Sequence, residues 1–387
     1  MKIALDMRGS QVGYKKHAFR GIGRIIREIA PRLSPLMPET EFILLFDGRY
    51  DRGNVEFGGR TSEIIVDQKS PFKRLEIIKN HISLWPLLRK IKPDVTLFFC
   101  HEDALLFMPR SVLFVLDLIP ERLPDLYNTY KGMKNKIRHV ILKRMARQAS
   151  LLFTISENSR KDIIGLWGVP AEKIKVVYAG IDTRTFFRVS AEESSTIKAR
   201  YSLPEDYILY VGGIDPRKNA VTLLEAFYLM SRSGGRKLVM AGNIAEQDEY
   251  PVIDATIRSR GLENRVKFTG HVSDCDLPAL YSGASLTVFP SLYEGFGLPV
   301  LESLACGTPV VTSNSSSIPE VAGDLAVFTD VKDAKSLASA MENALNDKAL
   351  SERVRRVGPE RAGIFTWERV AERTVDGLRS VLARNVT

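Results

Sequence analysis

The chain has 387 residues, of which 44% are hydrophobic and 26% charged, a composition typical of a globular protein with two or three domains. Its three widely separated cysteines, Cys100, Cys275 and Cys306, form neither a disulfide framework nor a zinc pattern, so we expect a reducing, cytoplasmic location. No apolar run is long enough to span a bilayer, and Asp6 follows Met1 too closely for a signal peptide.

The net charge of +9 is unevenly distributed. Residues 1–190 hold 33 Lys and Arg against 20 Asp and Glu, which gives +13, whereas residues 191–387 hold 22 against 26, which gives −4. This asymmetry predicts a polyanionic partner for the first half. Nucleic acid, anionic lipid and a phosphorylated acceptor all satisfy that prediction.

Short apolar runs alternate with helical patterns along the first half. Most of these runs lack polar alternation, as expected of strands buried on both faces of a parallel sheet. The predicted strands are Ile3–Asp6, Glu41–Phe46, Ser62–Val66, Asp94–Phe99, Val112–Leu116, Leu151–Ile155 and Ile174–Val177. Helices are predicted at Ile22–Leu33 and at Glu157–Trp167, the second with Ser156 as its N-cap.

The second half repeats this alternation. Its predicted strands are Tyr207–Gly212, Lys237–Ala241, Val266–Thr269, Ser285–Phe289, Pro309–Thr312 and Leu325–Phe328. Its predicted helices are Asn219–Ser231, Val252–Arg260, Asp276–Ser282, Gly297–Cys306, Ala334–Asn346 and Trp367–Ala383. Two successive series predict an α/β fold with two doubly wound, Rossmann-like domains. We place the first domain at residues 1–185, a polar linker at 186–204, the second domain at 205–365 and a closing helix at 366–387.

The most specific motif directly follows the strand predicted at Ser285–Phe289 and reads Ser291-Leu-Tyr-Glu-Gly-Phe-Gly-Leu-Pro-Val-Leu-Glu302. Ligands of open α/β sheets bind beyond the carboxyl ends of strands, and the two glycines would let a ligand approach the backbone. A helix beginning near Gly297 would offer free N–H groups to an anion or a sugar hydroxyl. Glu294 and Glu302 would accept hydrogen bonds from hydroxyls. The alternative is an ordinary strand–turn–helix with two solvated glutamates.

A second strand–glycine–helix segment reads Tyr210-Val-Gly-Gly-Ile-Asp-Pro-Arg-Lys-Asn219. Backbone amides around Gly212 and Gly213, with Arg217 as a fork and Lys218 as a point charge, would suit a diphosphate. The alternative is a solvated basic turn.

A third, weaker segment contains Gly21 and Gly23 and lacks the third glycine of a dinucleotide fingerprint. A helix beginning there would offer N–H groups to a phosphate. A plain glycine turn into a helix explains the same segment equally well.

Taken in order, these segments resemble the family-4 glycosyltransferases over nearly the whole chain. The remaining segments that carry the resemblance are Gly21-Ile-Gly-Arg24, Asp117-Leu-Ile-Pro120, Thr154-Ile-Ser-Glu-Asn-Ser-Arg-Lys-Asp162, Val177-Tyr-Ala-Gly-Ile-Asp182, Pro216-Arg-Lys-Asn219, Thr269-Gly-His-Val272 and Phe365-Thr-Trp-Glu368. The pair Glu294 and Glu302, with seven residues between them, is the hallmark of that family.

The resemblance implies a GT-B fold, in which two Rossmann-like domains face a cleft and the closing helix crosses back to the first domain. It also implies retention of the anomeric configuration and no bound metal or other cofactor. From the motifs and the resemblance together, the predicted donor-binding residues are Gly21, Gly23, Gly212, Gly213, His271, Val272, Phe296, Gly297, Leu298 and Glu302, and the predicted catalytic residues are Glu294, Lys218, Arg217 and Asp117. Glu294 would hold the donor sugar, Glu302 the ribose and Lys218 the diphosphate, while His271 and Val272 would lie against the base.

The chain departs from the family pattern at two positions. Leu116 stands where many relatives have a histidine that contacts the sugar, and Gly213 stands where many have an arginine. Arg217 is the candidate that would replace the missing charge.

Three further candidates each have a structural alternative. Asp117, at a predicted strand end, would orient the acceptor or help to remove its proton, or would cap a loop. His101 would contact an acceptor or have a purely structural role. Asp274 and Asp276 form an Asp-x-Asp pair, which we interpret as the N-cap of a helix rather than as a metal site.

Residues 131–148 contain seven Lys and Arg and no acid, and Met133, Ile137, Val140, Ile141 and Met145 recur at helical spacing. This pattern fits a helix lying on an anionic membrane surface. It fits equally a solvated helix that packs its apolar stripe on the sheet.

The sequence as a whole predicts transfer of a hexose from a nucleoside diphosphate sugar to a glycan or lipid-linked acceptor, with no nucleic acid partner. The Asp117 segment resembles bacterial surface-polysaccharide mannosyltransferases, so GDP-mannose is the first donor to test and a UDP-hexose the next. A GT-B-like sugar-nucleotide epimerase is the main alternative. A nicotinamide-dependent oxidoreductase is disfavoured by the incomplete glycine fingerprint, and a non-catalytic binding subunit by the intact Glu294, Lys218 and Glu302.

Overall fold

The computed structural model describes residues 1–14, 21–53, 55–66, 76–105, 110–230 and 235–384, without the side chains of residues 76–82. These residues form two compact units. The first unit is Met1–Gly180 with Trp367–Thr387, and the second is Ile181–Thr366.

Each unit is built on one parallel sheet. The strands of the first sheet are β1 (Lys2–Asp6), β2 (Glu41–Asp47), β3 (Thr61–Val66), β4 (Val95–Phe98), β5 (Ser111–Phe114), β6 (Leu151–Thr154) and β7 (Ile174–Val176). The strands of the second are β8 (Tyr207–Val211), β9 (Lys237–Ala241), β10 (Val266–Phe268), β11 (Leu286–Phe289), β12 (Val310–Ser313) and β13 (Ala326–Thr329). Every predicted strand is present, with its ends shifted by at most two residues.

Helices connect the strands. They are α1 (Ile22–Leu36), α2 (Glu76–Ile91), α3 (Ile119–Arg122), α4 (Pro124–Tyr127), α5 (Gly132–Gln148), α6 (Glu157–Asp162), α7 (Ala191–Arg200), α8 (Ala220–Met230), α9 (Tyr250–Ser259), α10 (Leu277–Gly283), α11 (Leu298–Ala305), α12 (Ile318–Ala322), α13 (Ala334–Asn346), α14 (Lys348–Ala362) and α15 (Trp367–Ala383). Within the described residues, no helix is both long enough and apolar enough to cross a bilayer.

The two sheets have the same kind of topology. The strand order is β3-β2-β1-β4-β5-β6-β7 in the first unit and β10-β9-β8-β11-β12-β13 in the second. In both, the chain starts in the middle of the sheet, winds outward in one direction and then reverses. This is the doubly wound arrangement that the sequence predicted, and it makes a crevice at the reversal point the expected place for a ligand.

The closing helix α15 packs within the first unit, as predicted, and contacts α1, β4 and β6. Gly377 makes the close approach possible, because a Cβ atom at that position would lie only 2.4 Å from Cε1 of Phe153 on β6.

The segment predicted as a linker, residues 186–204, holds α7 instead of an extended connection. Ser190 caps this helix, and Ser194 donates a hydrogen bond to the carbonyl of Ala279 on α10 at 3.2 Å. The division between units lies earlier, after Gly180, because the amide of Ile181 already bonds the carbonyl of Phe365 in the second unit.

Helix α1 extends three residues beyond its predicted end, and the helix predicted at Glu157–Trp167 changes type along its length. The Ser156 side chain accepts from the amide of Ser159, as an N-cap should, but α6 ends at Asp162 and continues as a π-helical turn over Ile163–Trp167. The predicted end of the helix at Asn219–Ser231 lies outside the described residues.

Candidate functional site

Glycines end three neighbouring strands of the second sheet at the carboxyl edge. Gly212 after β8 and Gly242 after β9 have φ angles of +146° and +140°, which L side chains rarely adopt. A Cβ atom on Gly242 would lie 2.7 Å from the carbonyl oxygen of Gly212, and the amide of Gly242 bonds the carbonyl of Gly270 after β10. The backbones therefore lie in direct contact at this edge.

The loop after β8 is held by Gln247, a residue that the sequence analysis did not identify. Its Oε1 accepts from the amide of Ile214 at 2.8 Å, and its Nε2 donates to the carbonyl of Asn243 at 3.0 Å. A Cβ atom on Gly213 would lie 2.8 Å from Oε1 of Gln247. Gln247 thus fills the space into which a side chain at position 213 would extend.

The centre of the site is the buried carboxylate of Glu294, which follows β11. Its Oε1 lies 2.6 Å from Nζ of Lys218 and 2.7 Å from Nη1 of Arg217. The hydroxyl of Ser291 donates to the same oxygen at 2.6 Å. The two predicted motifs therefore meet, and the residues predicted to bind a diphosphate contact the residue predicted to bind the sugar.

Serines around Glu294 fix its backbone. The amide of Glu294 donates to Ser316 Oγ at 2.9 Å, and Ser317 Oγ donates to the carbonyls of Glu294 and Phe296 at 2.9 and 2.8 Å. The sequence analysis missed both serines, since a polar loop after a strand carries no pattern that would single them out. They hold the glycine-flanked loop in one conformation.

Charge and burial act in opposite directions on Glu294. Burial alone would raise its pKa, but Lys218 and Arg217 outweigh burial and hold the pKa at about 2. Burial and the charge of Arg217 lower the pKa of Lys218 from its usual range, although Glu294 opposes them. The cluster is therefore a carboxylate held firmly ionised beside two cations.

The helix α11 begins as the motif predicted. Gly297 is its N-cap, with a φ of +106°, and no side chain caps the first turn. Leu298 is the first helical residue, and its amide points out of the helix N-terminus. Pro299 has no N–H, and the amides of Val300 and Leu301 bond the carbonyl of Gly297. Further along, Glu302 is buried and accepts a hydrogen bond from the hydroxyl of Tyr281 at 2.9 Å.

Three more of the predicted donor residues, His271, Val272 and Phe296, lie in the same unit. His271 is exposed and Val272 buried in the loop after β10. The ring of Phe296 packs edge-on against Phe365 with the ring centroids 5.4 Å apart, so any contact from Phe296 to a ligand would come from its backbone.

The predicted N-cap role of Asp276 at the start of α10 is confirmed for its position but not for its side chain. Asp276 occupies the N-cap position, but its carboxylate bonds Arg200 at 2.9 Å and the hydroxyl of Tyr201 at 2.8 Å. The hydroxyl of Ser273 accepts from the amide of Asp276 instead. In the described part of the chain, no group of three or more His, Cys, Asp or Glu side chains is placed to hold a metal ion.

The remaining predicted residues lie in the first unit. Gly21 is the N-cap of α1, and Gly23 is buried in its first turn. Asp117 follows β5, and its Oδ1 accepts from the amide of Ile119 at 3.2 Å, which is the loop-capping arrangement. Asp117, Gly21 and His101 all line one cavity of this unit, with a volume of about 490 Å³.

Two doubly wound α/β units, one of which carries a Glu294–Lys218–Arg217 cluster at its carboxyl edge, define a glycosyltransferase of the GT-B kind. Residues 19–185 match the model for Glycosyltransferase Family 4, and residues 194–361 match the model for Glycosyl transferases group 1. Together the two matches span most of the chain, and the chain belongs to this family of glycosyltransferases.

Individual relatives agree with this assignment. O-antigen chain mannosyltransferase B of Escherichia coli is 29% identical over 391 residues, covering 94% of this chain and 97% of that protein. The structure of sucrose-phosphate synthase from Thermosynechococcus elongatus has a TM-score of 0.80 at 20% identity, covering 99% of this chain and 100% of its own. Anabaena HepE, solved with UDP and glucose, has a TM-score of 0.72 at 20% identity, covering 98% and 100%. At these identities the two structures support the fold alone.

The ionisation of Glu294 gives a test of the cluster. Its lowered pKa means that its contribution to stability is present above about pH 4.5 and is lost as the pH falls toward 2. We expect Glu294→Gln to lower the free energy of unfolding by about 3 kcal/mol at pH 7, and this difference to shrink between pH 5 and pH 3. Urea unfolding across this pH range measures the difference. Glu352→Gln, at an exposed position in the same unit, is the control, and a Glu294→Gln difference that stays constant with pH would contradict the paired carboxylate.

Proposed function

We propose that the protein transfers a hexose from a nucleoside diphosphate sugar to a hydroxyl of a glycan or lipid-linked acceptor in polysaccharide biosynthesis. The observation that carries this proposal is the convergence of Lys218, Arg217 and Ser291 on one oxygen of Glu294. Retention of configuration and independence of a metal ion are parts of the same proposal.

The cluster places two cations beside the buried carboxylate of Glu294, and Arg217 also pairs with the partly exposed carboxylate of Asp215 at 3.6 Å. An anion that enters beside Lys218 and Arg217 would be attracted more strongly there than in water. As the glycosidic bond breaks, negative charge develops on the leaving diphosphate. These two cations and the uncapped N-terminus of α11 are groups that would stabilise it without reorganising.

The second oxygen of Glu294 is suited to the donor sugar. The closest approaches of Lys218, Arg217 and Ser291 are all to Oε1, and no side chain in the described part of the chain donates a hydrogen bond to Oε2. An ionised carboxylate with a free oxygen accepts strong hydrogen bonds from hydroxyls. Glu294 would therefore link the sugar to the diphosphate-binding cations.

Retention would follow from attack by the acceptor hydroxyl on the same face of the sugar that the diphosphate leaves. Asp117, at the end of β5, would orient the acceptor. Its loop-capping hydrogen bond through Oδ1 favours a positioning role over proton removal.

Mannose from GDP-mannose is the donor that we propose, because the relative that aligns along nearly its whole length is a mannosyltransferase. A UDP-hexose is the second candidate, because HepE, which shares the fold, was solved in complex with UDP and glucose. A sugar-nucleotide epimerase would convert the donor with no acceptor present.

A panel of nucleotide sugars tests these alternatives together. Binding of GDP-mannose, GDP-glucose, UDP-glucose and UDP-galactose is measured first, and products are then analysed with and without an acceptor glycan. We expect GDP-mannose to bind most tightly, transfer to require acceptor, and turnover to survive a chelator. Isomerised donor without acceptor would favour the epimerase, and loss of turnover on chelation with recovery on Mn²⁺ or Mg²⁺ would contradict metal independence.

Lys218→Met tests the contact to the leaving group. Arg217 still neutralises Glu294 in this variant, so the fold should persist. We expect the affinity for GDP to fall about tenfold and turnover to fall by about 10²-fold or more, since the charge matters most in the transition state. Lys332→Met, at an exposed position in the same unit, should change neither value. A Lys218 variant that altered only the acceptor KM would exclude the diphosphate role.

We also propose that α5 contacts the surface of an anionic membrane, at its inner face, in reversible peripheral binding. Met133, Ile137 and Val140 are 72%, 52% and 64% exposed and share one face of the helix. The opposite face packs into the first unit through Leu142 and Met145. Met145 of the apolar stripe thus packs into the first unit, whereas Met133, Ile137 and Val140 remain exposed.

The structure distinguishes basic residues of α5 that are bonded to the protein from those that are exposed and could contact a membrane. Nζ of Lys143 donates to the carbonyl of Leu166, and Nε of Arg147 donates to that of Trp167, so these two side chains are engaged by the protein. Lys131, Lys134 and Lys136 are exposed near the apolar stripe. The combination of exposed apolar side chains and lysines is typical of helices that lie in the membrane interface.

Replacing Met133, Ile137 and Val140 together by Ser should weaken partitioning onto phosphatidylglycerol vesicles at least tenfold, because each apolar side chain loses its transfer free energy. Co-sedimentation with the vesicles at low and at high salt measures the partitioning. The affinity for GDP should be unchanged. The matched control replaces Val221, Leu229 and Val252, three exposed apolar residues of the second unit, by Ser. Equal effects of the two triple variants, or no binding by the wild type at low salt, would refute the membrane contact.

A further inference from the structure

The cavity of the first unit has one polar and one aromatic side. Its volume of about 490 Å³ lies within the range of small-molecule sites, about 300–1,000 Å³. The aromatic residues among its lining are Phe99, Phe114 and Tyr127. The polar ones include His101, Glu102, Asp117, Glu121, Asn135, Arg138 and His139.

Glu121 of α3 is a buried carboxylate in this lining. Its side chain is only 9% exposed, and the carboxylate accepts a hydrogen bond from its own backbone amide. The nearby cation Arg138 is paired with Glu102. Burial raises the pKa of Glu121 to about 6, and the charges of Asp117 and Glu102 add to the rise while Arg138 opposes it.

His139 of α5 lies beside this carboxylate. Its Nδ1 is 3.3 Å from Oε1 of Glu121, but the geometry is not that of a hydrogen bond, and Nδ1 has no hydrogen-bond partner among the described residues. The rings of Tyr130 and Trp167 hold the imidazole edge-on, with centroids 5.1 and 6.4 Å away. Burial lowers the pKa of His139, which favours the neutral ring.

The carboxylate of Glu121 accepts from its own backbone amide and has room for further donors, while Nδ1 of His139 has no hydrogen-bond partner in the part of the chain described. Side by side, they suit a ligand that both donates and accepts hydrogen bonds. A hydroxyl group does both. The aromatic side of the cavity suits the apolar face of a sugar ring, and the neutral imidazole and clustered carboxylates disfavour an anion. The chemistry therefore matches a neutral, polyhydroxylated ring.

We propose that Glu121 and His139 hold hydroxyl groups of the terminal neutral sugar of the acceptor in this cavity. The proposal rests on the proposed glycosyl transfer and names the acceptor-binding side chains that it needs. Glu121 belongs to the first unit and is not part of the donor cluster of the second, so its role would be to position the acceptor. The neighbouring Asp117 and Asn135 would hold further hydroxyls of the same ring.

Equilibrium binding of methyl α-D-mannopyranoside and methyl α-D-glucopyranoside to the full chain, without any nucleotide, tests this proposal separately from transfer. We expect Glu121→Ala to weaken binding of the preferred glycoside at least tenfold, and Glu121→Gln to weaken it less, because an amide oxygen still accepts. GDP affinity and the melting temperature of Glu121→Gln should match the wild type. Asp125→Asn, an exposed acid on the adjacent α4, is the control that should leave glycoside binding unchanged.

The pH dependence provides a readout that a purely structural role would not change. Glycoside affinity of the wild type should fall as the pH drops through about 6, where Glu121 takes up a proton, and this dependence should be absent in Glu121→Gln. Binding of neither glycoside by the wild type, or equal binding by Glu121→Ala, would overturn the proposal. So would a parallel loss of GDP affinity in both Glu121 variants. A protein that binds the glycoside through Glu121 yet transfers no sugar would leave this site intact and refute only the transfer.

Discussion

The structure of the second unit depends on keeping one buried carboxylate between two cations. Removing charged groups from water is costly unless each is paired and hydrogen-bonded. Glu294 meets that condition through Lys218, Arg217 and Ser291, and these contacts in turn require the loops after β8 and β11 to lie against each other. Ser316 and Ser317 bond the backbone of Glu294 and hold it in place for these contacts.

The two units offer opposite electrostatic environments to a ligand. The second unit, although its half of the chain is net acidic, concentrates cations at its sheet edge. The first half carries +13, yet its cavity is lined by Glu102, Asp117 and Glu121. The excess basic charge lies elsewhere, partly on the exposed face of α5. Net charge of a half-chain therefore says little about its binding site, and the local arrangement suits a charged donor in one unit and a neutral hydroxyl in the other.

The sequence was enough to predict every strand, but it did not predict some of the helices or the contacts between elements. Strands buried on both faces leave continuous apolar runs, so all of those found were predicted. The helices α7 and α14 left no such pattern, because their buried stripes consist largely of small or polar residues such as Ser194, Gly358 and Ala362. Gln247 bonds Ile214, and Glu121 lies beside His139, so these contacts join residues that are distant in sequence. The spacing of apolar residues shows which face of one helix or strand is buried, whereas these contacts join different elements.

The departure from the family pattern at position 213 has a physical explanation in the same terms. Gly213 lies against Gln247, whose amide holds the loop after β8, so an arginine there would have to displace that side chain. Arg217, four residues later, instead places its guanidinium on Glu294 and on the carbonyl of Tyr293. The positive charge therefore reaches the site from the short turn that also carries Lys218. One loop, clamped by Gln247, thus supplies both cations, and the register of this turn decides whether they meet the carboxylate.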